Sequence, residues 1–215
     1  YCWGYGDYGQ LGDGAALRRL VPTPVDGALE FVQVSAGELH SCGITVDSTA
    51  YCWGENQVGE LGDSSTTRRF VPTAVAGGLA FVELSAHAHR TCGVATGSAA
   101  YCWGDFQRTP TLVPGGLDFA HVDAGAFYNC GVTTDGLAYC WGENQYGQLG
   151  DGTTDTRATP TPVADVTDFG SVSASLYHTC GVTVAHVAYC WGDNSSGQLG
   201  DGTTRQRLRP NRVVQ

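Results

Sequence analysis

Lysine and methionine are both absent from this sequence of 215 residues. All eleven cationic side chains are therefore arginines, set against 21 acidic residues for a formal net charge of −10. A nucleic-acid partner needs a positive face to neutralise its phosphates, so that class of partner is excluded. No run of 18 or more apolar residues occurs. That excludes a membrane-spanning helix, and no membrane insertion is expected. The missing methionine and the lack of a signal peptide lead us to expect a processed product or a piece of a longer chain. No segment keeps a helical period over ten residues. The motifs of chemistry are missing as well. There is no Gly-x-Ser-x-Gly elbow, no Walker loop and no His-Glu-x-x-His. Neither a Cys-x2-Cys zinc knuckle nor EF-hand spacing occurs. The expectation is a protein that is not an enzyme, with no catalytic residue, no metal site and no cofactor.

What is present is one phrase, repeated. YCWG tetrads begin at residues 1, 51, 101, 139 and 189, so successive spacings are 50, 50, 38 and 50. After the tetrad, most units run through Gly-Gln-Leu-Gly-Asp, then Pro-x-x-Val, then an aromatic strand and a Cys-Gly pair. A period near 50 residues means an array of supersecondary units. The units are 1–50, 51–100, 101–138, 139–188 and 189–215, read as a single propeller domain, or a fragment of one, over residues 1–215. FVQVS (31–35) and FVELS (81–85) alternate apolar and polar residues as strands do. HSCGIT and TAYCWG flank a short turn and read as a hairpin. Pro-x-x-Val reads as a short edge strand, where proline is tolerated. Each unit is thus a four-stranded antiparallel meander, with strands A (FVQVS), B (HSCGIT), C (TAYCWG) and D (PTPV). The 38-residue unit is expected to keep all four strands and to lack only the long C–D loop, with RTPTLV (108–113) following YCWGDFQ as strand D.

Side chains alternate faces along a strand. In AYCWG the tyrosine and tryptophan share one face, and alanine, cysteine and glycine share the other. Every unit therefore has a large face and a small one, which suits sheets stacked large on small around an axis. The fold class is all-β, a β-propeller of four-stranded antiparallel blades. The blades number about four and a half here, an arc of a larger ring. An unusually small ring, or closure shared with another copy, are the alternatives. Leu11, Leu61, Leu149 and Leu199 are expected as core plugs.

Trp141, Gly142, Asn144, Gly147, Gln148, Leu149 and Gly150, with a second set over Trp191–Gly200, carry a further signal. Together with an Ala-Gly-x-x-His and an Asp-Gly hairpin, they resemble the regulator-of-chromosome-condensation repeat. The resemblance covers essentially the whole chain. It implies a seven-bladed propeller, which at 50 residues per blade needs about 350 residues. That family includes a guanine-nucleotide exchange factor, a plant ultraviolet photoreceptor and secreted bacterial members such as β-lactamase inhibitory protein II. The bacterial kind is the nearest in character. The photoreceptor branch places tryptophan at the A–B tips, where this chain has none. Asn56, Asn144 and Asn194 are replaced by Gly6 in the first unit, and both residue types tolerate a left-handed backbone.

Nine cysteines yield four pairs at one spacing: Cys42/Cys52, Cys92/Cys102, Cys130/Cys140 and Cys180/Cys190. One member lies on strand B and the other on strand C, directly opposite across a short turn and within disulfide reach. Small buried thiols on the small face are the alternative. Cys2 has no partner ten residues upstream and is expected unpaired. Repeated disulfides imply an oxidising compartment: extracellular, cell surface or periplasmic.

The A–B tips and C–D loops share one rim, and there the units disagree most. A constant framework with a variable rim is what a binding scaffold needs. Candidate partner-binding residues are Tyr5, Tyr8, Leu39, His87, His89, Phe106, Phe127, Tyr128, Tyr146, Leu176 and Tyr177. Aromatics are common interface anchors. His40 and His178 are expected to bond backbone within their blades. Glu55, Asp105, Glu143 and Asp193 are expected as solvated loop charge. The function expected is a secreted or surface-exposed, non-catalytic scaffold for a protein partner of unknown identity. Further blades of the same chain, or another copy, are also candidate partners. The alternatives are a structural or adhesive segment of a large surface protein, an inhibitor of the β-lactamase-inhibitor kind, and a GTPase exchange factor. Acidity, disulfides and a composition of bacterial look all count against the exchange factor.

Overall fold

Strand D is where the sequence puts its prolines, and strand D is the outer edge of every sheet. The structure, a computed structural model, describes residues 1–214 and contains two compact units. The first covers residues 1–112 and the second begins at Val113. In the first unit, β1 (Cys2–Gly4) and β2 (Arg19–Thr23) form a two-stranded sheet. A four-stranded blade follows with β3 (Phe31–Ala36), β4 (His40–Thr45), β5 (Ala50–Gly54) and β6 (Arg69–Ala74) in that spatial order. The next blade holds β7 (Phe81–His87), β8 (Arg90–Ala95), β9 (Ala100–Gly104) and β10 (Gln107–Leu112).

The second unit repeats the plan. One blade holds β11 (Phe119–Ala124), β12 (Tyr128–Thr133), β13 (Ala138–Gly142) and β14 (Arg157–Pro162). The other holds β15 (Phe169–Ala174), β16 (His178–Thr183), β17 (Ala188–Gly192) and β18 (Arg207–Arg212). All pairings are antiparallel between neighbours in sequence, as in a meander. Strand D starts earlier than the Pro-x-x-Val motif suggests, because the arginine before it belongs to the ladder (Gly54 faces Arg69, Gly142 faces Arg157).

Within each unit the blades stack large face on small. Phe81 and Trp103 of one blade share a buried cluster with Cys42, Ile44, Ala50 and Cys52 of the blade before it. Phe169 and Trp191 cover Cys130, Val132, Ala138 and Cys140 in the same way. The leucine plugs Leu11, Leu61, Leu149 and Leu199 are all buried. A glycine explains how close the blades come. A Cβ on Gly12, which has φ +69°, would lie 2.7 Å from the indole nitrogen of Trp53. Only glycine lets that backbone turn left-handed and still lie flat against the ring.

Cysteines face each other in register at Cys42/Cys52, Cys92/Cys102, Cys130/Cys140 and Cys180/Cys190, each pair 4.1 Å apart between Cα atoms and joined as a disulfide. Cys2 is the free cysteine among the described residues.

The shortened unit keeps its fourth strand. β9 passes to β10 through two residues, Asp105 and Phe106, with φ of +46° and +75°. Two left-handed residues make the mirror-image turn that a tight hairpin favours. The turn bears no glycine, and Phe106 is 80% exposed. Its N–H donates to the Val58 carbonyl at 2.7 Å, which docks the hairpin tip on the neighbouring blade.

Candidate functional site

The long C–D loops are braced from inside. In the loop after β13, the Asn144 amide donates to Asp151 Oδ1 (3.2 Å) and to the Thr153 carbonyl (3.1 Å). Its Oδ1 accepts the Leu149 N–H at 3.0 Å. Arg157, the first residue of β14, donates to Asp151 Oδ2 at 2.8 Å. Burial raises the Asp151 pKa, but hydrogen bonds from Thr153 and then Arg157 outweigh it, so the carboxyl stays below its usual range. The same lattice recurs with Asn56, Asp63 and Arg69, and with Asn194, Asp201 and Arg207. These asparagines are not in left-handed backbone, contrary to expectation. Their side-chain amides are what the position needs. Gly6 also has an ordinary φ, and a Cβ there would strike the Leu17 carbonyl at 2.1 Å, so that loop is threaded differently.

Gln148 Oε1 accepts the Tyr146 N–H at 2.9 Å and so presents Tyr146 at the loop tip. There Tyr146 meets the A–B tip of the next blade: its ring lies 4.7 Å from that of Tyr177. Phe127, from the A–B tip of its own blade, stacks on Tyr177 at 6.1 Å with 15° between planes. Three predicted rim residues from three loops are thus brought together. Phe127 and the adjacent Leu176 are exposed, while Tyr146 and Tyr177 are half-buried by their neighbours.

The first unit offers a different group. Tyr5 and Tyr8 lie 6.0 Å apart, and the Arg68 guanidinium sits 4.7 Å over the Tyr8 ring. Arg68 also donates to Glu55 Oε2 at 2.5 Å. His89 is exposed, with Nδ1 3.9 Å from Glu60 Oε1, and His87 is half-buried beside it. No group of three metal ligands forms among the described residues. Leu39 is half-buried, and its carbonyl accepts the Glu55 N–H at 2.9 Å. Phe106 stands at the exposed hairpin tip, in a conformation that bulky residues seldom adopt.

Three expectations need correction. Tyr128 is fully buried and is not rim surface. Its hydroxyl donates to the His178 carbonyl at 2.6 Å and lies 2.8 Å from Thr179 Oγ1 of the next blade. Burial pushes its phenol pKa up. His40, at the same repeat position, does not bond backbone within its own blade. It is buried, and Nε2 reaches Thr91 Oγ1 of the next blade at 2.9 Å. In both places the threonine hydroxyl donates onward to the preceding C–D loop, at Glu60 O and Gln148 O. This position is an interblade staple. Finally, the four acids after YCWG are mostly committed. Glu55 is buried on Arg68, Asp105 pairs with Arg90, and Asp193 accepts from Ser195 and Gln198. Glu143 is the exception: it is exposed, and its carboxylate has no partner among the described residues.

His40 gives a pH prediction. Burial, then the nearby His89 and His87, lower its pKa from 6.5 to about 4 despite backbone hydrogen bonds at Ala88 and Arg90. The unfolded chain binds a proton that the folded chain refuses. Stability is therefore complete above pH 6.5 and falls as the pH drops toward 4, by up to about 3 kcal/mol, then levels. Urea melts between pH 7.5 and 4 will show this slope, and His40→Gln, which keeps a group for Thr91, will flatten it. An identical slope in His40→Gln would assign the effect elsewhere. Glu60, which burial pushes up, acts with the opposite sign and cancels in that comparison.

Four-stranded meanders, stacked large on small and carrying braced loops, define a β-propeller repeat protein. Residues 1–44, 47–98, 135–182 and 186–215 match the Regulator of chromosome condensation (RCC1) repeat, and the chain belongs to that family. A second model of the same repeat matches residues 31–60, 119–148 and 171–198. Residues 99–118 fall outside both, at the shortened unit. No curated protein matches in sequence. Among solved structures, human WBSCR16 superposes with a TM-score of 0.85 at 20% identity over 99% of this chain and 62% of its own. Prp20p of Saccharomyces cerevisiae gives 0.84 at 22% identity over 100% of this chain and 58% of its own, in a structure described with binding to Gsp1p and histones. The ectodomain of the Physcomitrella patens receptor kinase CR4 gives 0.56 at 26% identity over 79% of this chain and 41% of its own. This chain therefore spans about three fifths of the first two relatives, whose likeness shows the fold.

Proposed function

We propose that this chain is a non-catalytic scaffold that binds a protein partner through its loop rim, outside the reducing cytosol. The observation that carries the reading is the Phe127–Tyr177–Tyr146 cluster, three rings from three loops on braced supports. Rings held in advance lose little freedom on binding, so more of their contact area becomes affinity. The four disulfides favour a secreted or cell-surface setting, as the receptor-ectodomain relative also suggests. Yeast RCC1 is described bound to Kap60, and protein binding is the feature we carry over. An exchange-factor role fits less well, because those disulfides would be reduced where GTPases work.

The test is capture of a partner with the intact protein, followed by single substitutions. Tyr177→Ala, which touches both other rings, should weaken binding about 30-fold or more, near the 2 kcal/mol of a typical anchor. Asp135→Ala, on the opposite B–C turn, should leave binding unchanged. If binding survives Phe127→Ala, Tyr146→Ala and Tyr177→Ala but fails with Asp135→Ala, the wrong rim has been chosen. Turnover of a substrate by the purified protein would end the scaffold reading.

A further inference from the structure

Two C–D loops are almost the same sequence. Residues 55–57 and 143–145 both read Glu-Asn-Gln, and both loops continue to an aspartate and an arginine, Asp63/Arg69 and Asp151/Arg157. One of their differences is the residue before that arginine: Arg68 in one, Thr156 in the other. In the first loop Arg68 closes the space itself. Its guanidinium bonds Glu55 Oε2 at 2.5 Å and covers the Tyr8 ring at 4.7 Å, and Glu55 is buried beneath it. In the second loop threonine is too short to reach. A cavity of about 190 Å³ lies there, lined by Glu143, Asn144, Gln145 and Thr156. Glu143 is left exposed, with no side-chain partner among the described residues. Asp155, also exposed, adds a second carboxylate where the first loop has Thr67. The Glu143 N–H donates to the Phe127 carbonyl at 3.1 Å, which ties this acid to the loop bearing the aromatic cluster.

We propose that the Glu143–Thr156 cavity takes an arginine side chain of a protein partner, in the place that Arg68 fills in the other loop. The inference deepens the rim-scaffold reading and rests on it for the source of the arginine. A guanidinium forks onto a carboxylate with two parallel N–H donors, whereas an ammonium is a point charge that cannot. The lining is acid, amide and hydroxyl. Phosphate is repelled, and no group of three metal ligands forms among the described residues. A net charge of −10 supplies long-range attraction for a basic segment.

The experiment uses the whole chain, labelled with ¹⁵N and titrated with Gly-Arg-Gly or Gly-Lys-Gly. The arginine peptide should shift the amides of Gln145 and Thr156 in a saturable way. The lysine peptide should bind at least about fivefold more weakly. Glu143→Gln, at an exposed site, should remove the response without affecting folding. Thr156→Arg should fill the cavity from within, as Arg68 does, and block the peptide. Equal binding of the two peptides would overturn the proposal, as would an unchanged response in Thr156→Arg. Partner capture that depends on Tyr177, with no arginine response at Thr156, would overturn this inference and leave the scaffold reading standing.

Discussion

Reduction of the disulfides will unfold this protein under conditions where the oxidised chain is fully native. Each bridge joins cysteines ten residues apart. Closing a loop of that size restricts the unfolded chain by about 2.7 kcal/mol, and four such loops sum to about 11 kcal/mol. The whole stability of a domain is only about 5–15 kcal/mol, so the bridges are comparable with all of it. Two of the bridges also sit inside the packing, because Phe81 and Trp103 share a buried cluster with Cys42 and Cys52, and Phe169 and Trp191 with Cys130 and Cys140. Access will order the events. Cys42, Cys52, Cys92, Cys130 and Cys140 have no solvent exposure, whereas Cys102 and Cys180 are half-buried. The Cys92–Cys102 and Cys180–Cys190 bridges should open first and the other two only as the chain unfolds. Thermal melts with and without reductant will measure the effect. For a chain of this size, 1 kcal/mol moves the midpoint by roughly 2–4 °C, so a fall of about 20 °C or more is expected. A fall below about 5 °C would mean that packing, not cross-linking, holds the blades.

The blade itself was legible in the sequence because two periods say the same thing. The repeat near 50 residues sets the blade, and the alternation in AYCWG sets its large and small faces. The observed clusters, with Phe81 and Trp103 over Cys42 and Cys52, are those faces in contact. The disulfides followed from strand geometry, since a cysteine ten residues on lies straight across a hairpin. The same alternation, carried two residues further, would have found the staple. His40, Cys42 and Ile44 share one face of β4, as Tyr128, Cys130 and Val132 do on β12. A residue in step with a buried cysteine is itself aimed into the next blade. Tyr128 follows Phe127 at the tip, which suggests rim surface, yet one residue reverses the direction of a strand side chain.

The loop lattice and the rim were less legible for a physical reason. Asn144 works through its amide to atoms five to nine residues away, across a loop with no period. Only alignment of the Asn, Asp and Arg columns between units carries that signal. Contacts such as Arg68 over Tyr8 join loops of different blades, about 60 residues apart in sequence, and depend on how blades stack. The fate of the four acids shows the limit. Glu55 and Glu143 sit in identical tripeptides, yet one is buried in an ion pair with Arg68 and the other is open, with Thr156 at the position of that arginine.

Trp53→Ala will destabilise the fold by about 3–5 kcal/mol, the usual cost of emptying a buried aromatic site. Trp53 has no solvent exposure, and its ring stands 5.6 Å from Phe31. Its indole N–H donates to the Gln10 carbonyl at 3.0 Å, in the C–D loop of the preceding two-stranded sheet. Gly12 lies against its other side, so the ring is gripped by backbone that cannot follow a smaller side chain inward. Truncation leaves a cavity and a loop without its seat, with the Gln10 carbonyl held by the Ser41 hydroxyl alone at 2.9 Å. The repeat supplies its own control. Trp3 occupies the same place in the same tetrad and is 60% exposed. Trp3→Ala should change stability by no more than about 0.5 kcal/mol, as surface substitutions do. Gly12→Ala approaches the seat from the other side. It adds a Cβ 2.7 Å from the indole nitrogen at a residue with φ +69°, so it should also destabilise, through overpacking and backbone strain. Urea denaturation of the three variants, followed by far-ultraviolet circular dichroism, will rank them. Equal midpoints for Trp53→Ala and Trp3→Ala would show that the tryptophan face does not hold neighbouring blades together, and the stacking account of this fold would fall with it.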